Sequence, residues 1–277
     1  MEPALATVDP SAPLSPHATA WWTLQRADDP VFATAIHDGH ALRPEVAAAM
    51  RLPDDERLRE EDPFTGQAIA GVPGRVVVHR SRFEVDLNRG VEQAVYRVPE
   101  QCWGLRLWDA PPDEAFVQQS LRLHHAFYRT LATVFDDLVR HHGRFVVFDV
   151  HSYNHRRDGP AAAATPAEDA PEVNIGSWSM PRGRWAGLLD PLMDTMRAVD
   201  FNGRQADVRE NIAFQGRGEL ARFVHARYPE TGCAIALEFK KTFMDEWTGV
   251  PDPAELAGMR RLLDAAAAHA REWLADA

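Results

Sequence analysis

The sequence contains little cysteine and no long apolar run, and each absence excludes a class of protein. Only Cys102 and Cys233 are present among 277 residues, which excludes a disulfide framework and a cysteine-rich zinc site. No stretch approaches the ~20 consecutive apolar residues that a membrane-spanning helix needs. The first residues also lack the basic and apolar regions of a signal peptide. We therefore expect a cytoplasmic protein without a membrane span.

Basic residues are outnumbered as well. The chain has 30 Lys and Arg against 41 Asp and Glu, a formal net charge of -11. Such a chain repels nucleic acids and anionic membranes, so neither is expected as a partner. An anionic substrate would need a local arginine or a metal to overcome the same repulsion. With so few cysteines, any metal must be held by carboxylates and some of the 12 histidines.

The composition is otherwise that of a globular protein, with 45% hydrophobic and 26% charged residues. Nothing marks a domain boundary, so we predict a single domain over residues 1–277, with a loose Ala/Pro/Ser-rich segment at residues 1–16. Short apolar runs alternate with helical patterns, which predicts an α/β fold with a mixed, mostly parallel sheet.

The local patterns predict five strands, three helices and two loops. The strands are expected at residues 31–36, 76–78, 83–87, 144–150 and 234–239. The helices are expected between Asp113 and Gly143, over residues 187–197, and from Asp252 onward. Residues 51–61 read as a charged loop, and residues 155–171 as a surface loop that could act as a lid.

Polar residues follow several of these strands. His37, His151 and Glu238 stand at or near three strand ends, and Asn88-Arg89 follows a fourth. Ligand sites in open α/β sheets form outside the carboxyl ends of the strands. The pattern therefore predicts a binding site at one edge of the sheet.

His37 and His151 are candidate zinc ligands. A catalytic zinc ion takes three protein ligands, often two histidines and one carboxylate, plus a water molecule. The third ligand is expected in the acidic run Glu60-Glu61-Asp62, with Asp62 favoured and Glu61 as the next candidate. The alternatives are histidines bonded to the backbone and a solvated acidic loop.

Glu238 is the candidate general base. A carboxylate in an apolar strand is unfavourable unless it is paired or functional, and burial beside an activated water molecule would suit proton transfer near neutral pH. The alternative is an ion pair with Lys240 or Lys241.

Asn88 and Arg89 are candidates for binding a substrate carboxylate, because arginine can form two parallel hydrogen bonds and asparagine adds a donor. The alternative is a loop ion pair with Asp86. Gly216-Arg217-Gly218 indicates a tight turn, although Arg217 could also contact substrate.

These residues belong to an ordered series of short motifs. The series runs His37-Asp38-Gly39, Glu61-Asp62-Pro63, Val85-Asp86-Leu87-Asn88-Arg89, Phe148-Asp149-Val150-His151-Ser152, Pro171-Glu172-Val173-Asn174-Ile175-Gly176, Asn211-Ile212-Ala213-Phe214-Gln215-Gly216 and Leu237-Glu238. It resembles the N-formylglutamate amidohydrolase family, which is related in fold to zinc carboxypeptidases and to aspartoacylase.

The resemblance implies a three-layer α/β/α fold of the zinc carboxypeptidase type and one Zn²⁺ per chain. It implies His37, His151 and the acidic residue between them as ligands, and Glu238 as the catalytic carboxylate. Asn88 and Arg89 match the pair that holds the substrate carboxylate, and Asn211 and Arg217 are further expected substrate contacts.

The implied reaction cleaves N-formyl-L-glutamate, a step of histidine catabolism, to formate and glutamate. The alternatives are a metallo-deacylase or carboxypeptidase for another N-acyl amino acid or short peptide, and a non-catalytic small-molecule-binding protein on the same fold.

Overall fold

The computed structural model describes residues 20–276, and in this range the chain forms one seven-stranded sheet. Its strands are β1 (Trp22–Gln25), β2 (Val31–Ala35), β3 (Gly74–Val78), β4 (Phe145–Tyr153), β5 (Val173–Gly176), β6 (Val208–Glu210) and β7 (Gly232–Lys240). Their order across the sheet is β1-β3-β2-β4-β7-β5-β6. The segment 1–16, predicted to be loose, lies outside the described residues.

The centre of the sheet is parallel and its two sides are not. β3, β2, β4 and β7 are neighbours and run in the same direction. β1 joins one side and β5 the other in the antiparallel sense, and β6 is parallel to β5. This arrangement confirms the predicted mixed, mostly parallel sheet. Both faces of the central strands are covered, which explains their nearly continuous apolar sequences.

Helices cover the two faces and complete three layers. They are α1 (Pro44–Ala49), α2 (Asp54–Glu60), α3 (Thr65–Ala68), α4 (Glu114–His142), α5 (Ala186–Ala198), α6 (Glu219–Arg227) and α7 (Pro253–Asp276). Helices α3, α5 and α7 pack on one face, and α4 and α6 on the other. The predicted α/β/α fold is therefore confirmed. Within residues 20–276, no helix is both long and apolar enough to cross a membrane.

Helix α4 begins and ends where the sequence predicts. The carboxylate of Asp113 accepts a hydrogen bond from the backbone amide of Phe116 at 2.8 Å, which satisfies a free donor of the first turn. Gly143 has a φ of +77°, in the left-handed region that ends helices and that favours glycine. The ring of Phe135 stacks on Phe145 of β4 at 5.1 Å, so the helix covers the beginning of that strand.

The predicted strand at residues 83–87 is wrong. This segment is a turn, in which the amide of Glu84 donates to the carbonyl of Ser81 at 3.0 Å. Its alternating apolar residues pack into two separate core clusters. The alternation of apolar residues therefore shows only that these side chains are buried. A turn that lies between two core clusters can bury them as well as a strand can.

The predicted charged loop at residues 51–61 is also wrong, because it contains helix α2. Asp54, Asp55 and Glu56 occupy the first turn, where negative charge stabilises the helix dipole. The high charge density that suggested a solvated loop is equally the pattern of a short helix. Its end at Glu60 brings the acidic run 60–62 to the edge of the sheet.

The two faces of β4 diverge towards its carboxyl end. On one face, Val146, Phe148 and Val150 all belong to the core beneath α5 and α7. On the other face, Phe145 and Val147 contact the core under α4 and α6. The next residues on that second face are polar, since side chains alternate along a strand. A polar site therefore begins in the middle of a fully buried strand.

Candidate active site and metal centre

Two histidines and one aspartate meet at this edge. His37 follows β2 by two residues, and His151 lies within β4. The Oδ2 atom of Asp62 is 3.2 Å from Nδ1 of His37 and 3.1 Å from Nδ1 of His151. All three side chains are buried, and one ligand atom of each lies within 4.8 Å of the others. This arrangement suits a single ion better than a set of unrelated contacts.

The position of Asp62 is fixed by a tight turn. Its backbone amide donates to the carbonyl of His37 at 2.9 Å, and its own carbonyl accepts from Oγ1 of Thr65 at 2.7 Å. Phe64 within this turn has a φ of +70°, which is uncommon for a residue with a side chain. Ser152 Oγ donates to the second carboxylate oxygen at 2.9 Å. The carboxylate is therefore held before any ligand binds.

Each histidine has a carboxylate behind it. The Nε2 atom of His37 lies 2.7 Å from Oδ1 of Asp86, and Nε2 of His151 lies 3.1 Å from Oδ2 of Asp149. Thr34 Oγ1 in turn donates to Asp149 at 2.7 Å. A carboxylate at Nε2 favours the tautomer with the proton on Nε2 and leaves Nδ1 free to bind a metal.

Asp86 is itself held ionised. Burial alone would raise the pKa of Asp86, but Arg82 and His37 outweigh it and hold the pKa well below the usual range. Nη2 of Arg82 and the backbone amide of Asn88 each donate to the carboxylate at 2.8 Å, and the Tyr96 hydroxyl donates as well.

Asp62 is held ionised in the same way. Burial alone would raise the pKa of Asp62, but His151 and His37 outweigh burial and hold the pKa well below the usual range.

The donor set therefore fits a divalent metal ion. Two imidazole nitrogens and one carboxylate oxygen converge, and each imidazole is oriented by a second carboxylate, as catalytic zinc sites require. Nδ1 of both histidines faces one oxygen of Asp62. An ion held by these three atoms would take the place of the contacts that they now make with one another.

Glu61 points away from this centre. Its carboxylate accepts hydrogen bonds from Ser81 Oγ and His40 Nδ1, and it pairs with Arg57 at 3.4 Å. Of the two acidic residues that the sequence offered as the third ligand, the structure brings only Asp62 to the histidines.

Glu238 lies opposite His151 in the register of β7 with β4, and opposite Asn174 in the register with β5. Its carboxylate forms no hydrogen bond or ion pair with any described residue. Lys240 and Lys241 donate instead to backbone carbonyls, so the alternative of a lysine ion pair is wrong. Burial raises the pKa of Glu238 to about 7, which leaves it able to accept and to release a proton near neutral pH.

Asn88 and Arg89 lie on the neighbouring loop. The side-chain amide of Asn88 is 3.3 Å from Nε2 of His151. Arg89 forms an ion pair with Asp86 at 3.8 Å, a distance that leaves its guanidinium available to a ligand. The predicted loop ion pair is thus present but long. The backbone at Gly218 lies against Asn88, where a Cβ atom would stand 2.2 Å from the amide oxygen.

These groups line one cleft of about 460 Å³, which also contains Arg82, Arg157, Arg217 and Lys241. Its volume falls in the range of small-molecule sites, roughly 300–1,000 Å³. These four cations and Arg89 share the cleft with the carboxylates of Glu60, Asp62, Asp149 and Glu238. The cleft therefore offers basic side chains for an anionic group of a small molecule next to the candidate metal centre.

The sequence model of the N-formylglutamate amidohydrolase family matches residues 29–244. The chain belongs to the N-formylglutamate amidohydrolase family. The matched range includes all the residues of the candidate site, and the resemblance seen in the sequence motifs is confirmed.

Two solved structures have a fold similar to that of this chain. The crystal structure of N-formylglutamate amidohydrolase from Ralstonia eutropha JMP134 has a TM-score of 0.71 at 17% identity, over 93% of this chain and 99% of that chain. A gene product of Agrobacterium tumefaciens has a TM-score of 0.64 at 14% identity, over 90% and 96% of the two chains. At these identities the likeness establishes the fold alone. No curated protein sequence matches the chain.

Arg217 and Asn211 were both expected to contact substrate, but only Arg217 lines the cleft. Arg217 lines the cleft, with its guanidinium 4.9 Å above the ring of Trp178. Asn211 has a φ of +57°, and its side chain bonds to the backbone amide and the hydroxyl of Ser177. Its amide is therefore engaged in shaping the turn after β6, and the structure does not bring it to the metal centre.

Arg82 and Lys241 belong to the site although the sequence did not single them out as functional. Arg82 lies under Trp103, 4.8 Å from its ring, and donates to Asp86. Lys241 is buried and donates to the carbonyls of Arg59 and Glu61, beside Asp62. No local sequence signal marks Lys241, because its partners lie 182 and 180 residues away in the chain. Arg82 stands four residues before its partner Asp86, a spacing that could have indicated the pair.

Proposed function

We propose that this protein is a zinc-dependent hydrolase that removes the N-acyl group from an acidic amino acid, with N-formyl-L-glutamate as the leading substrate. The observation that carries the proposal is the meeting of three candidate metal-ligand atoms with an unpaired carboxylate, Glu238, in one cleft that also contains five basic side chains. Membership of the N-formylglutamate amidohydrolase family supports the same substrate class.

His37, Asp62 and His151 would hold one zinc ion and leave a fourth position open. When bound, zinc would lower the pKa of a water molecule from 15.7 toward about 7 and polarise the substrate carbonyl. Asp86 and Asp149 would keep the two imidazoles in the metal-binding tautomer.

Glu238 would move the protons. Its carboxylate accepts one proton from the attacking water molecule, whose oxygen forms the new bond to the acyl carbon. It then donates that proton to the amine nitrogen as the carbon–nitrogen bond breaks. A pKa of about 7 suits both steps, since general acid–base catalysis is most effective when the pKa lies near the working pH.

Arg89 and Asn88 would orient the substrate by its α-carboxylate. The Arg89 guanidinium has only one long ion pair, so a substrate carboxylate can bind it with two hydrogen bonds. His124 Nε2 lies 2.8 Å from the carbonyl of Arg89 and fixes that backbone. Fixed orientation places the scissile amide beside Glu238 and the metal centre.

The test is formate release from N-formyl-L-glutamate by purified protein, before and after removal of metal with a chelator. We expect release to stop on chelation and to return with Zn²⁺. The Glu238→Gln variant should lower kcat by roughly 10²- to 10⁴-fold while binding zinc as the parent does. Loss of zinc from a folded Glu238→Gln variant would make Glu238 a ligand. No release from zinc-loaded parent protein would contradict the proposed substrate.

A further inference from the structure

The arginine and lysine side chains of the cleft differ in the partners that they already have. Four of the five bind a carboxylate or a backbone carbonyl of the protein, namely Arg82, Arg89, Arg157 and Lys241. Within residues 20–276, the fifth, Arg217, forms neither a hydrogen bond nor an ion pair, and its guanidinium carbon lies 4.9 Å from the centre of the Trp178 ring. Contact with an aromatic face orients a guanidinium and leaves its N–H donors available. Arg217 is exposed, so it can bind an anionic group without losing a partner.

The backbone on both sides of Arg217 is fixed against the site. Gly216 packs on Gly176 of β5, where a Cβ atom added to Gly176 would stand 2.3 Å from the amide nitrogen of Gly216. Gly218 packs on Asn88, where an added Cβ atom would stand 2.2 Å from the side-chain oxygen. Arg217 therefore lies between β5 and the residue that is proposed to bind the α-carboxylate.

The same contacts place Arg217 next to the candidate general base. Gly176 lies opposite Ala236 in the register of β5 with β7. Ala236 and Glu238 share one face of β7, because side chains alternate along a strand, and both line the cleft. Since Gly216 packs on Gly176, the chain crosses this face one step along β7 from Glu238.

The segment that leads to Arg217 is also fixed. Asn174 of β5, which lies opposite Glu238, accepts a hydrogen bond from the amide of Ile212 at 2.9 Å. It donates to the carbonyl of Phe214 at 2.7 Å. The backbone before Arg217 is therefore held in place before a ligand binds, and a ligand meets the guanidinium at a defined position.

We propose that Arg217 binds the side-chain carboxylate of the substrate, and that it makes the enzyme select acidic over neutral N-acyl amino acids. N-Formyl-L-glutamate carries two carboxylates, and Asn88 with Arg89 accounts for the one on Cα. A guanidinium beside Asn88 that has no polar partner can bind the other with two parallel hydrogen bonds. This inference rests on the proposed function, because it assumes the same hydrolysis with the α-carboxylate at Asn88 and Arg89.

The experiment measures formate release by the zinc-loaded full chain from N-formyl-L-glutamate and N-formyl-L-glutamine, which differ in side-chain charge and hardly in shape. The parent should have a kcat/KM roughly 10- to 100-fold higher for the glutamate substrate, the effect of a charge-assisted hydrogen bond. Arg217→Met should lower kcat/KM for N-formyl-L-glutamate by about that factor and leave the value for N-formyl-L-glutamine near that of the parent. A parent without this preference, or an equal loss with both substrates, would overturn the assignment.

Two further variants separate charge from position. Arg217→Lys keeps the charge and should retain part of the preference for the glutamate substrate. Arg144→Met is the matched control, because the Arg144 guanidinium also lies over a tryptophan ring, 4.8 Å from that of Trp185, but outside the cleft. It should keep the parent's preference. Equal loss of the preference in Arg144→Met and Arg217→Met would contradict the assignment.

N-Formyl-L-isoglutamine, in which the α-carboxylate is an amide, tests which of the two carboxylates Arg217 binds. Arg217→Met should lower kcat/KM for this substrate as it does for N-formyl-L-glutamate, because the side-chain carboxylate is still present. If the variant instead spares N-formyl-L-isoglutamine and impairs turnover of N-formyl-L-glutamine, Arg217 binds the α-carboxylate and the assignment is wrong.

A second measurement needs no turnover. Isothermal titration should show that the zinc-loaded parent binds L-glutamate about tenfold or more tightly than L-glutamine, and that Arg217→Met binds the two alike. Equal binding by the parent would overturn the assignment. If the parent releases no formate but its preference for L-glutamate depends on Arg217, the proposed hydrolysis fails and the carboxylate contact stands.

Discussion

The two faces of strand β4 differ sharply although they alternate along the same nine residues. The face beneath α5 and α7 carries Val146, Phe148 and Val150, all fully buried in one apolar cluster. The opposite face starts apolar and then presents Asp149 and His151, equally buried but bonded to other polar groups. The side chains on the two faces are thus buried to the same extent, but one face is apolar and the other is polar at its carboxyl end.

This difference shows how the fold separates stability from function. The apolar face stabilises the fold through close packing, so the loss of even one methylene group lowers the free energy of unfolding. The polar face avoids the cost of buried charge only because every member has a partner, as between Thr34 and Asp149. The comparison predicts that substitutions on the first face change stability and that substitutions around the second change metal binding or catalysis.

The largest effect should come from the aspartate between the two histidines. Asp62→Asn removes the carboxylate charge that would bind the ion. Zinc affinity should therefore fall by more than the roughly 10- to 100-fold that is typical when a residue that only orients a metal ligand is lost. Isothermal titration of the metal-free protein with Zn²⁺ would measure it. Glu61→Gln is the matched control, since the Glu61 carboxylate bonds to Arg57 and Ser81 instead. Equal losses of affinity in the two variants would contradict the assignment of Asp62.

On the opposite face, Phe148→Ala should destabilise the fold. Phe148 is fully buried in the cluster under α5 and α7, and truncation of a core phenylalanine costs about 3–5 kcal/mol of unfolding free energy. Urea denaturation would measure the loss. Zinc affinity of the remaining folded protein should stay near that of the parent. A large drop in affinity with little loss of stability would break the proposed separation of the two faces.

Lys241 tests how Asp62 is supported. Its ammonium group donates to the carbonyls of Arg59 and Glu61 at the end of α2, where a cation satisfies carbonyls that lack helical partners. Lys241→Met should free this segment and lower zinc affinity by about 10- to 100-fold. The neighbouring Lys240→Met removes a bond to the Ala170 carbonyl instead and should leave affinity near the parent value. Equal affinities in the two variants would remove Lys241 from the support of the site.

The smallest expected effect concerns the loop beside the polar face. Arg89→Ala should raise KM for N-formyl-L-glutamate by roughly tenfold or more, because a charge-assisted hydrogen bond contributes about 1.5–3 kcal/mol. Arg106→Ala is the control, since Arg106 also has one ion pair at 3.8 Å and is exposed. Steady-state kinetics would separate KM from kcat. An unchanged KM in Arg89→Ala would exclude Arg89 from substrate binding.

The sequence predicted the parts of this molecule that depend on neighbours in the chain. The bounds of α4 follow from Asp113 and Gly143, and β4 from a continuous apolar run. The segment 83–87 was predicted wrongly, because alternation of apolar residues does not specify which surfaces bury them. The helix α2 was missed, because the same charges suit a solvated loop and a helix of seven residues.

The candidate site divides in the same way. His37, His151 and Glu238 could be selected from the sequence because each follows or ends an apolar strand, and the carboxyl ends of parallel strands share one edge. The sequence favoured Asp62 as the third ligand but could not exclude Glu61. Adjacent residues point in different directions, and only the turn held by Thr65 determines which carboxylate reaches the histidines.

The sequence by itself therefore determined the fold class, the family and the types of residue that could bind a metal, since these depend on periodicity and on motifs that survive in the chain. The tertiary structure alone decided that Asp86 and Asp149 orient the histidines, that neither lysine pairs with Glu238, and that Ile212 and Phe214 face the cleft. Those contacts join residues far apart in the chain, and no local pattern encodes the distance between two side chains.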